Sequence, residues 1–391
     1  RLPQAAVAHL KKSILDGLGC ILHGATLPWT AKIAAMVHTE GGHTQADLFD
    51  GSGKVPAAAA ALVNGTAGHA FELDDIHRDS IIHPNSLTLS VALALAQRNA
   101  GASGEAFLTA IAAGYEVGAR IGAAAGPGLL LSGFHPQGTT GAFAAAATAA
   151  HMLGLNSDAT LNTLGTAGSL GAGLMAAQEG AMVKRLHSGR AAETGLRAAL
   201  LAQDGFTGID NIVEAAYGGF ITAHSDTPNP SRLVQGLGED WELLQTGFKP
   251  HATVTSIHTC LDALAMIRDE YDLEGDDFAT IEAAVSTPTY VHCAWPYHAQ
   301  SITAAQMNIY YGLAVMALDG EAFVRQFSEG RITDPAIFQL IKRITARVDP
   351  EIDAMGPAHR HTAMVSVTTT DGRRLEKQVS LRKGSPENPL S

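Results

Sequence analysis

The sequence predicts a mainly α-helical protein in which a large all-α domain precedes a smaller α+β domain. As far as about Ser225, apolar residues recur with the period of a helix, between segments rich in Gly and Ala. A proline-rich connector follows at 226–231, and strand-like segments appear among the helices from Gln245 onward. We therefore place an all-helical domain at 1–246 and an α+β domain at 247–385, with 386–391 as the start of a return to the helical domain.

The helices of the first domain are indicated by spacing and by capping residues. Residues 7–22 keep the helical period, and the run stops near Gly24. Ser103 and Asn156 are residue types that cap the N-terminus of a helix. The further helices predicted here are 30–38, 56–70, 85–99, 104–122, 139–153, 157–174, 188–203 and 212–217.

The second domain combines strands with helices. Residues 280–290 are rich in β-forming residue types, and 363–370 and 374–381 alternate around Asp371-Gly372, which is a hairpin signal. Helices are predicted at 256–270, 302–318 and 335–348.

Composition excludes several classes of protein. The formal net charge is −12 with no compensating basic run, which argues against nucleic-acid binding. Cys20, Cys260 and Cys293 are scattered and form no CxxC motif, so a disulfide framework and a cysteine-bound metal centre are not expected. The apolar runs are Ala-rich and interrupted, unlike membrane spans. We expect a cytoplasmic protein with no nucleic-acid or membrane partner.

The segment 72–84 concentrates charge between two apolar runs. It holds four carboxylates and two imidazoles, which are costly to bury unless they are paired or used. If it is helical, Asp75 and Asp79 share a face, as in the Mg²⁺ sites of all-α diphosphate enzymes. The alternatives are a capped, salt-bridged turn with Arg78, and general acid or base chemistry by Asp75, His77 or His83.

Three other segments carry candidate binding groups. The turn 135–141 opens a helix and offers N–H groups and hydroxyls to an anion, or is a simple cap. Lys184, Arg185 and His187 form either an anion site or a solvated basic turn. His251 and His258 are a weak candidate metal pair, since no HExxH motif is present.

A set of short motifs runs in order along nearly the whole chain: Asn64-Gly65-Thr66-Ala67-Gly68-His69-Ala70, Asp74-Asp75, His83-Pro84, Phe134-His135-Pro136, Thr140-Gly141, Lys184, Leu186-His187-Ser188-Gly189-Arg190-Ala191-Ala192, Gly205-Phe206-Thr207-Gly208, Phe248-Lys249-Pro250, Tyr311 and Leu318-Asp319-Gly320. As a set they resemble the MmgE/PrpD family, which includes 2-methylcitrate dehydratase, cis-aconitate decarboxylase and iminodisuccinate epimerase. Relatives continue into closing helices beyond the last residue here.

The resemblance implies a homodimer in which an α+β lid domain covers a helical domain, with the site in the cleft between them. It also implies chemistry on a small anionic di- or tricarboxylate without a cofactor or a metal. The catalytic positions implied are His83, His135, Lys184, Tyr311 and Asp75. Substrate-binding residues are expected at Asp74, Gln137, Thr139, Thr140, Arg185, His251 and His258.

The predicted function is that of a lyase, with dehydration of a 2-methylcitrate-like substrate as the main hypothesis. Lys184 and the turn at His135 would bind carboxylates, His83 oriented by Asp75 would act as base or acid, and Tyr311 would donate a proton. Decarboxylation of the cis-aconitate type and epimerisation share the carbanion and are alternatives. A Mg²⁺-dependent diphosphate enzyme and a non-catalytic helical scaffold are alternatives of other classes.

Two positions depart from the family pattern. Val254 stands where the family carries a histidine early in the lid helix, with His251 and His258 one turn away on either side. Ile76 stands where Thr or Ser usually follows the acidic pair. Both departures predict a reaction or a substrate that differs in detail from the named ones.

Overall fold

A computed structural model describes residues 2–390, which form two compact units. The first unit comprises 2–177 and 182–248, and the second comprises 178–181 and 249–390. In the described residues, no helix has the length and apolarity needed to cross a membrane.

The first unit is built almost wholly of helices. Ser103 accepts a hydrogen bond from Ala106 N and Asn156 accepts one from Ala159 N, so both predicted caps are confirmed. Its elements are α1 (Gln4–Gly24), α2 (Pro28–Glu40), β1 (Ala46–Leu48), β2 (Gly53–Val55), α3 (Ala57–Gly68), β3 (Ile76–His77), α4 (Pro84–Arg98), α5 (Gly104–Ala125), α6 (Pro127–Leu131), α7 (Gly141–Met152), α8 (Ser157–Leu170), α9 (Val183–Gln203), α10 (Phe220–His224) and β4 (Thr246–Gly247).

Alanine-rich helices fill the centre of the first unit. Every residue of α3 is buried, and in α7 the residues from Gly141 to Ala150 are buried as well. These two helices pack against α4 and α9, which close the core around them. Small side chains let the helices approach closely, so burial rather than intrinsic helicity holds α3 and α7 in place.

The crossing of α3 and α9 depends on two glycines. A Cβ atom on Gly189 of α9 would lie 2.1 Å from the carbonyl oxygen of Leu62, and one on Gly65 of α3 would lie 3.1 Å from the Cα of Gly189. Only glycine fits at such a backbone contact. The first turns of α9 are therefore held at a fixed distance from α3.

The segment between α3 and α4 is not helical. Ile76 and His77 form β3, which pairs antiparallel with β4, with Ile76 opposite Gly247. Ile76 is buried, so the residue that departs from the family pattern lies in the core. The helix-face interpretation of Asp75 and Asp79 is therefore wrong.

The second unit combines helices with a four-stranded sheet of order β6-β5-β7-β8, in which β5 and β6 are parallel and the other pairs antiparallel. Alternate residues of β7 are buried, and α11 packs on β7 and β8. The elements are α11 (His258–Tyr271), β5 (Phe278–Val285), α12 (Thr287–Cys293), α13 (Ile302–Met307), α14 (Ile309–Asp319), α15 (Glu329–Ile332), α16 (Pro335–Ile341), β6 (Ile344–Val348), α17 (Pro350–Ala354), β7 (Ala363–Thr369) and β8 (Arg374–Val379).

Three predicted helices differ from the structure. The helix at 212–217 is replaced by turns, because Ile212 O accepts from Phe220 N at 2.6 Å and folds the chain back. The helix at 302–318 is divided at Asn308, whose extended backbone ends α13 and whose side chain caps α14. The helix at 335–348 stops at Ile341, and the rest forms β6 beside β5.

Candidate active site

Four histidines of the first unit lie side by side. His69 follows the last residue of α3, His83 immediately precedes α4, His135 lies in the loop before α7, and His187 lies near the start of α9. Their ring centroids are 4.8 Å apart for His83 and His69, 5.7 Å for His69 and His135, and 5.1 Å for His135 and His187. We call these four imidazoles the histidine row.

The carboxylate of Asp74 contacts two members of the histidine row. Its Oδ2 lies 2.8 Å from Nδ1 of His69, and its Oδ1 lies 3.3 Å from Nδ1 of His83. Burial alone would raise the pKa of Asp74, but His83 and His69 hold it well below its usual range. Burial lowers the pKa of His69 to about 3 in spite of Asp74. Near neutral pH, Asp74 is therefore an anion that orients both rings, and His69 is a neutral imidazole.

His69, Asp74 and His83 also form a group that can hold a metal ion, because one ligand atom from each lies within 4.8 Å of the others. The 2.8 Å contact between His69 and Asp74 is a hydrogen bond, which uses two of the atoms that a metal would need. The expectation of chemistry without a metal stays a prediction, and treatment with a chelator tests it.

His135 and His187 share a hydrogen bond between their Nδ1 atoms, which are 2.9 Å apart. Burial, followed by the charge of Lys184, lowers the pKa of His187 to about 4. Burial and then Lys184 also hold the pKa of His135 well below its usual range. Both rings are therefore neutral near pH 7.

Lys184 and Arg185 lie beside the histidine row and reach the same carboxylate. Lys184 Nζ contacts Oε1 of Glu72, and Arg185 Nη1 donates to that oxygen at 2.6 Å. All three side chains are buried, and the backbone of Glu72 is left-handed, with φ 56°. Arg185 also donates to the carbonyl of His69 at 3.3 Å. Two buried cations therefore converge on one carboxylate, and cations fixed in this way are the kind of group that binds a carboxylate ligand.

Asp75 does not take the position predicted for it beside His83. Its Oδ1 accepts from Asn85 N at 3.1 Å, in the first turn of α4, and its Oδ2 accepts from the hydroxyl of Tyr115 at 2.6 Å. Burial, reinforced by Asp16, raises the pKa of Asp75 well above its usual range. The carboxylate that orients His83 is Asp74, which the sequence placed among the substrate-binding residues.

The remaining charged groups of 72–84 belong to another part of the first unit. Asp79 pairs with Arg78 at 3.3 Å and with Arg232 at 3.2 Å, and His77 bonds to Glu242 at 3.0 Å. These residues line a cavity of about 420 Å³. The salt-bridged turn predicted for Arg78 is confirmed, and Asp79 is not aligned with Asp75 for Mg²⁺.

Side chains of the turn before α7 make hydrogen bonds within the protein. The Gln137 side chain accepts from His83 N at 2.8 Å and donates to Ser86 and Ser188, both at 2.9 Å. Thr139 Oγ1 donates to His135 O at 3.0 Å, and Thr140 Oγ1 is buried with no hydrogen-bond partner among the described residues. All three side chains are fully buried, so their predicted contact with substrate stays a prediction.

Three predicted site residues lie in the second unit. Tyr311 is buried in α14, donates its hydroxyl hydrogen to Gln326 O, and has its pKa raised by burial. His251 donates from Nε2 to Asp262 at 3.0 Å, and His258 donates to Thr253 O at 3.2 Å. Their predicted roles toward substrate stay predictions.

Two residues of this cluster, His69 and Glu72, were not predicted as site residues, and His187 was predicted only as part of a candidate anion-binding turn. His69 and His187 are inside the motifs that carried the resemblance, and each lies within four residues of a helix end. Glu72 opens the charged segment. The position of His69 and His187 beside a helix terminus and within such motifs could have identified them as site residues. The pairing of Glu72 with α9 could not be predicted in this way, because the two segments are more than a hundred residues apart.

The chain matches the models of the MmgE/PrpD N-terminal domain over residues 1–233 and of the MmgE/PrpD C-terminal domain over 251–391. A cis-aconitate decarboxylase-like protein of Aspergillus oryzae is 32% identical, over 98% of this chain and 83% of the relative. Cis-aconitate decarboxylase of Aspergillus terreus is 30% identical, over 99% and 83%. The human cis-aconitate decarboxylase is 30% identical, over 86% and 71%.

These two matches together span nearly all of the helical and the α+β units. The chain belongs to the MmgE/PrpD family. Two of the relatives named above are cis-aconitate decarboxylases and one is cis-aconitate decarboxylase-like, and decarboxylation is a lyase reaction, so they support the expectation of a lyase.

Proposed function

We propose that this protein is a carboxy-lyase that removes CO₂ from a small tricarboxylate of the cis-aconitate type without a cofactor. The observation that carries the proposal is that the histidine row contacts Asp74 and lies beside the buried cations Lys184 and Arg185. Similarity to a cis-aconitate decarboxylase-like protein over 98% of the chain and to a cis-aconitate decarboxylase over 99% of it supports the same choice.

The chemistry needs positive charge and a proton donor in one place. In cis-aconitate one carboxylate is attached to a carbon next to a double bond, so its loss as CO₂ leaves an allylic carbanion delocalised onto a conjugated carboxylate. Fixed cations stabilise that charge, and a positioned acid protonates the carbanion. Lys184 and Arg185 hold the remaining carboxylates in this proposal, and His83, oriented by Asp74, and His135 handle protons.

Dehydration was the main prediction from the sequence. Because the relatives are named cis-aconitate decarboxylases or decarboxylase-like, we propose the carboxy-lyase alternative instead. Dehydration and epimerisation pass through a related carbanion, so they remain distinct outcomes of the same assay. The proposal keeps the family expectation that the second unit acts as a lid and that Tyr311 is a residue of the active site. It also keeps a homodimer in the cytoplasm as the working form, for which light scattering and cell fractionation are the tests.

The test is a product assay. Chelator-treated protein is incubated with cis-aconitate, 2-methylcitrate and citrate, and products are followed by NMR with CO₂ release measured in parallel. We expect CO₂ and an unsaturated dicarboxylate from cis-aconitate alone. Water loss from 2-methylcitrate without CO₂ would replace the proposal with dehydration, and loss of turnover on chelation would overturn the metal-free mechanism.

Two variants with matched controls assign the site. Lys184→Ala should abolish turnover, whereas Lys54→Ala, at an exposed lysine, should not change it. His135→Ala should also abolish turnover, whereas His38→Ala, at an exposed histidine, should not change it. Unchanged turnover in Lys184→Ala or His135→Ala would remove that residue from the site.

A further inference from the structure

The paired Nδ1 atoms of His135 and His187 require one hydrogen between them. Each neutral imidazole has one N–H and one bare nitrogen, so a 2.9 Å contact between two Nδ1 atoms makes one ring a donor and the other an acceptor. When His187 donates, His135 carries its own hydrogen on Nε2. The tautomers of the two rings are therefore coupled.

The two rings differ in their access to solvent. His135 is only 7% exposed, whereas His187 is partly exposed. Two glycines leave room for the His187 ring: a Cβ on Gly173 would lie 3.1 Å from its Nδ1, and one on Gly138 would lie 3.2 Å from its Cβ. The pair therefore links a buried imidazole to a more accessible one in a confined orientation.

Decarboxylation of a tricarboxylate consumes a proton. The carbon–carbon bond breaks, CO₂ leaves, and the electron pair left behind forms a new C–H bond, so a trianion becomes a dianion with uptake of one H⁺. Dehydration and epimerisation take up no net proton. A carboxy-lyase must therefore bring a proton from water to its donor in every turnover.

We propose that His187 is a positioning residue that relays this proton from water to His135, an inference that rests on the proposed carboxy-lyase function. As His135 gives its Nε2 hydrogen to the carbanion, the shared hydrogen moves from Nδ1 of His187 to Nδ1 of His135, and water protonates Nε2 of His187. His135 thus donates without becoming an anion. After product release, water protonates Nε2 of His135, the shared hydrogen returns from Nδ1 of His135 to Nδ1 of His187, and Nε2 of His187 gives its hydrogen to water, which restores the starting tautomers.

The test compares His187→Asn with His187→Ala in the full-length protein. The Asn amide can still hydrogen-bond to His135 but cannot pass a proton through itself. We expect kcat on cis-aconitate to fall at least about 100-fold, the lower end of the range for one lost proton-transfer group, with KM little changed. The solvent isotope effect on kcat should rise. His151→Asn, at an exposed histidine of α7, is the matched control and should leave both values unchanged.

Rescue separates a relay from a packing role. Added imidazole should restore turnover to His187→Ala, whereas 1-methylimidazole, which has only one nitrogen that can bind a proton, should not. Equal rescue by both compounds, or wild-type kcat in His187→Asn, would overturn the relay while the decarboxylase function stands. Absence of CO₂ release by the wild-type protein would overturn both proposals.

Discussion

Oδ1 of Asp74 lies 3.3 Å from Nδ1 of His83, while the adjacent carboxyl group of Asp75 caps the first turn of α4. The pKa values of the two neighbours move in opposite directions, downward for Asp74 and upward for Asp75. The first faces imidazoles, and the second faces a hydroxyl, a backbone N–H and the charge of Asp16. Asp74 and Asp75, although adjacent in the sequence, therefore have different roles.

Replacement of these two acids should have unequal effects. Asp74→Asn removes the charge that orients His69 and His83, and we expect kcat to fall by about 100-fold or more. Asp75→Asn keeps an oxygen for the N–H of Asn85 and should change kcat by less than about tenfold. Steady-state kinetics, with circular dichroism to verify folding, measures both. Equal losses of kcat would contradict the assignment of Asp74.

Glu72→Gln removes the carboxylate between two buried cations. We expect the free energy of unfolding to fall by about 3–5 kcal/mol, the range for breaking a buried ion pair. Citrate should then raise the melting temperature of this variant more than that of the wild type, because its carboxylates supply the missing charge.

The matched control for Glu72 is Glu193→Gln. Glu193 is also buried and also pairs with two arginines, Arg190 at 2.5 Å and Arg197 at 2.8 Å, but those arginines are exposed. Citrate should stabilise Glu193→Gln no more than the wild type. If citrate raises the melting temperature of Glu72→Gln by no more than it raises that of the wild type, Lys184 and Arg185 do not bind carboxylates.

Acid should destabilise the protein through its neutral histidines. His69 has a pKa of about 3 when folded and an ordinary value of 6.5, so between these pH values the unfolded chain binds a proton that the folded chain does not. Stability therefore falls as pH drops below 6.5, by at most about 1.4 kcal/mol per pH unit for one such group. Urea unfolding at pH 7.5, 6.0 and 5.0 should show a shallower decline in His69→Gln than in the wild type. The stability of the control variant His151→Gln should fall with pH as steeply as that of the wild type. An equally steep fall for His69→Gln would refute the prediction.

Tyr297, whose ring lies beside that of Tyr311, provides a control for replacing Tyr311. Both hydroxyls are buried and donate to backbone carbonyls, those of Gln326 and Ile332 respectively. Tyr311→Phe and Tyr297→Phe should each lower the free energy of unfolding by about 1–2 kcal/mol. Only Tyr311→Phe should lower kcat if the hydroxyl of Tyr311 acts on the substrate. A kcat equal to that of Tyr297→Phe would assign Tyr311 a structural role.

Local signals predicted much of the helical unit, and tertiary contacts account for the errors. The N-caps at Ser103 and Asn156 depend on nearby residues and were predicted correctly. Strand β6 was predicted as helix because its state depends on parallel pairing with β5, more than fifty residues away. Asn308 divides a helix by capping it with its own side chain, which the apolar pattern around it obscured.

The same distinction applies to the site. His83, His135, Lys184 and Arg185 were predicted as residues of one site, and the structure brings these four into one cluster. Their partners were not predictable, because Asp74 and Asp75 are indistinguishable by composition and spacing. The choice between them depends on where α4 begins and on the hydroxyl of Tyr115 in α5.

The backbone contact at Gly65 and Gly189 has a consequence for how such a protein diversifies. Gly189 lies only two residues beyond His187 and four beyond Arg185, so the contact sets the position of these side chains without any of them taking part in it. The partly exposed side chain at 187 can therefore be exchanged while its attachment point stays where it is, whereas Lys184 and Arg185 are also held by their pairing with Glu72. We expect a library randomised at position 187 to keep its fold, whereas a single Gly189→Ala change alters the alignment of every site residue on α9.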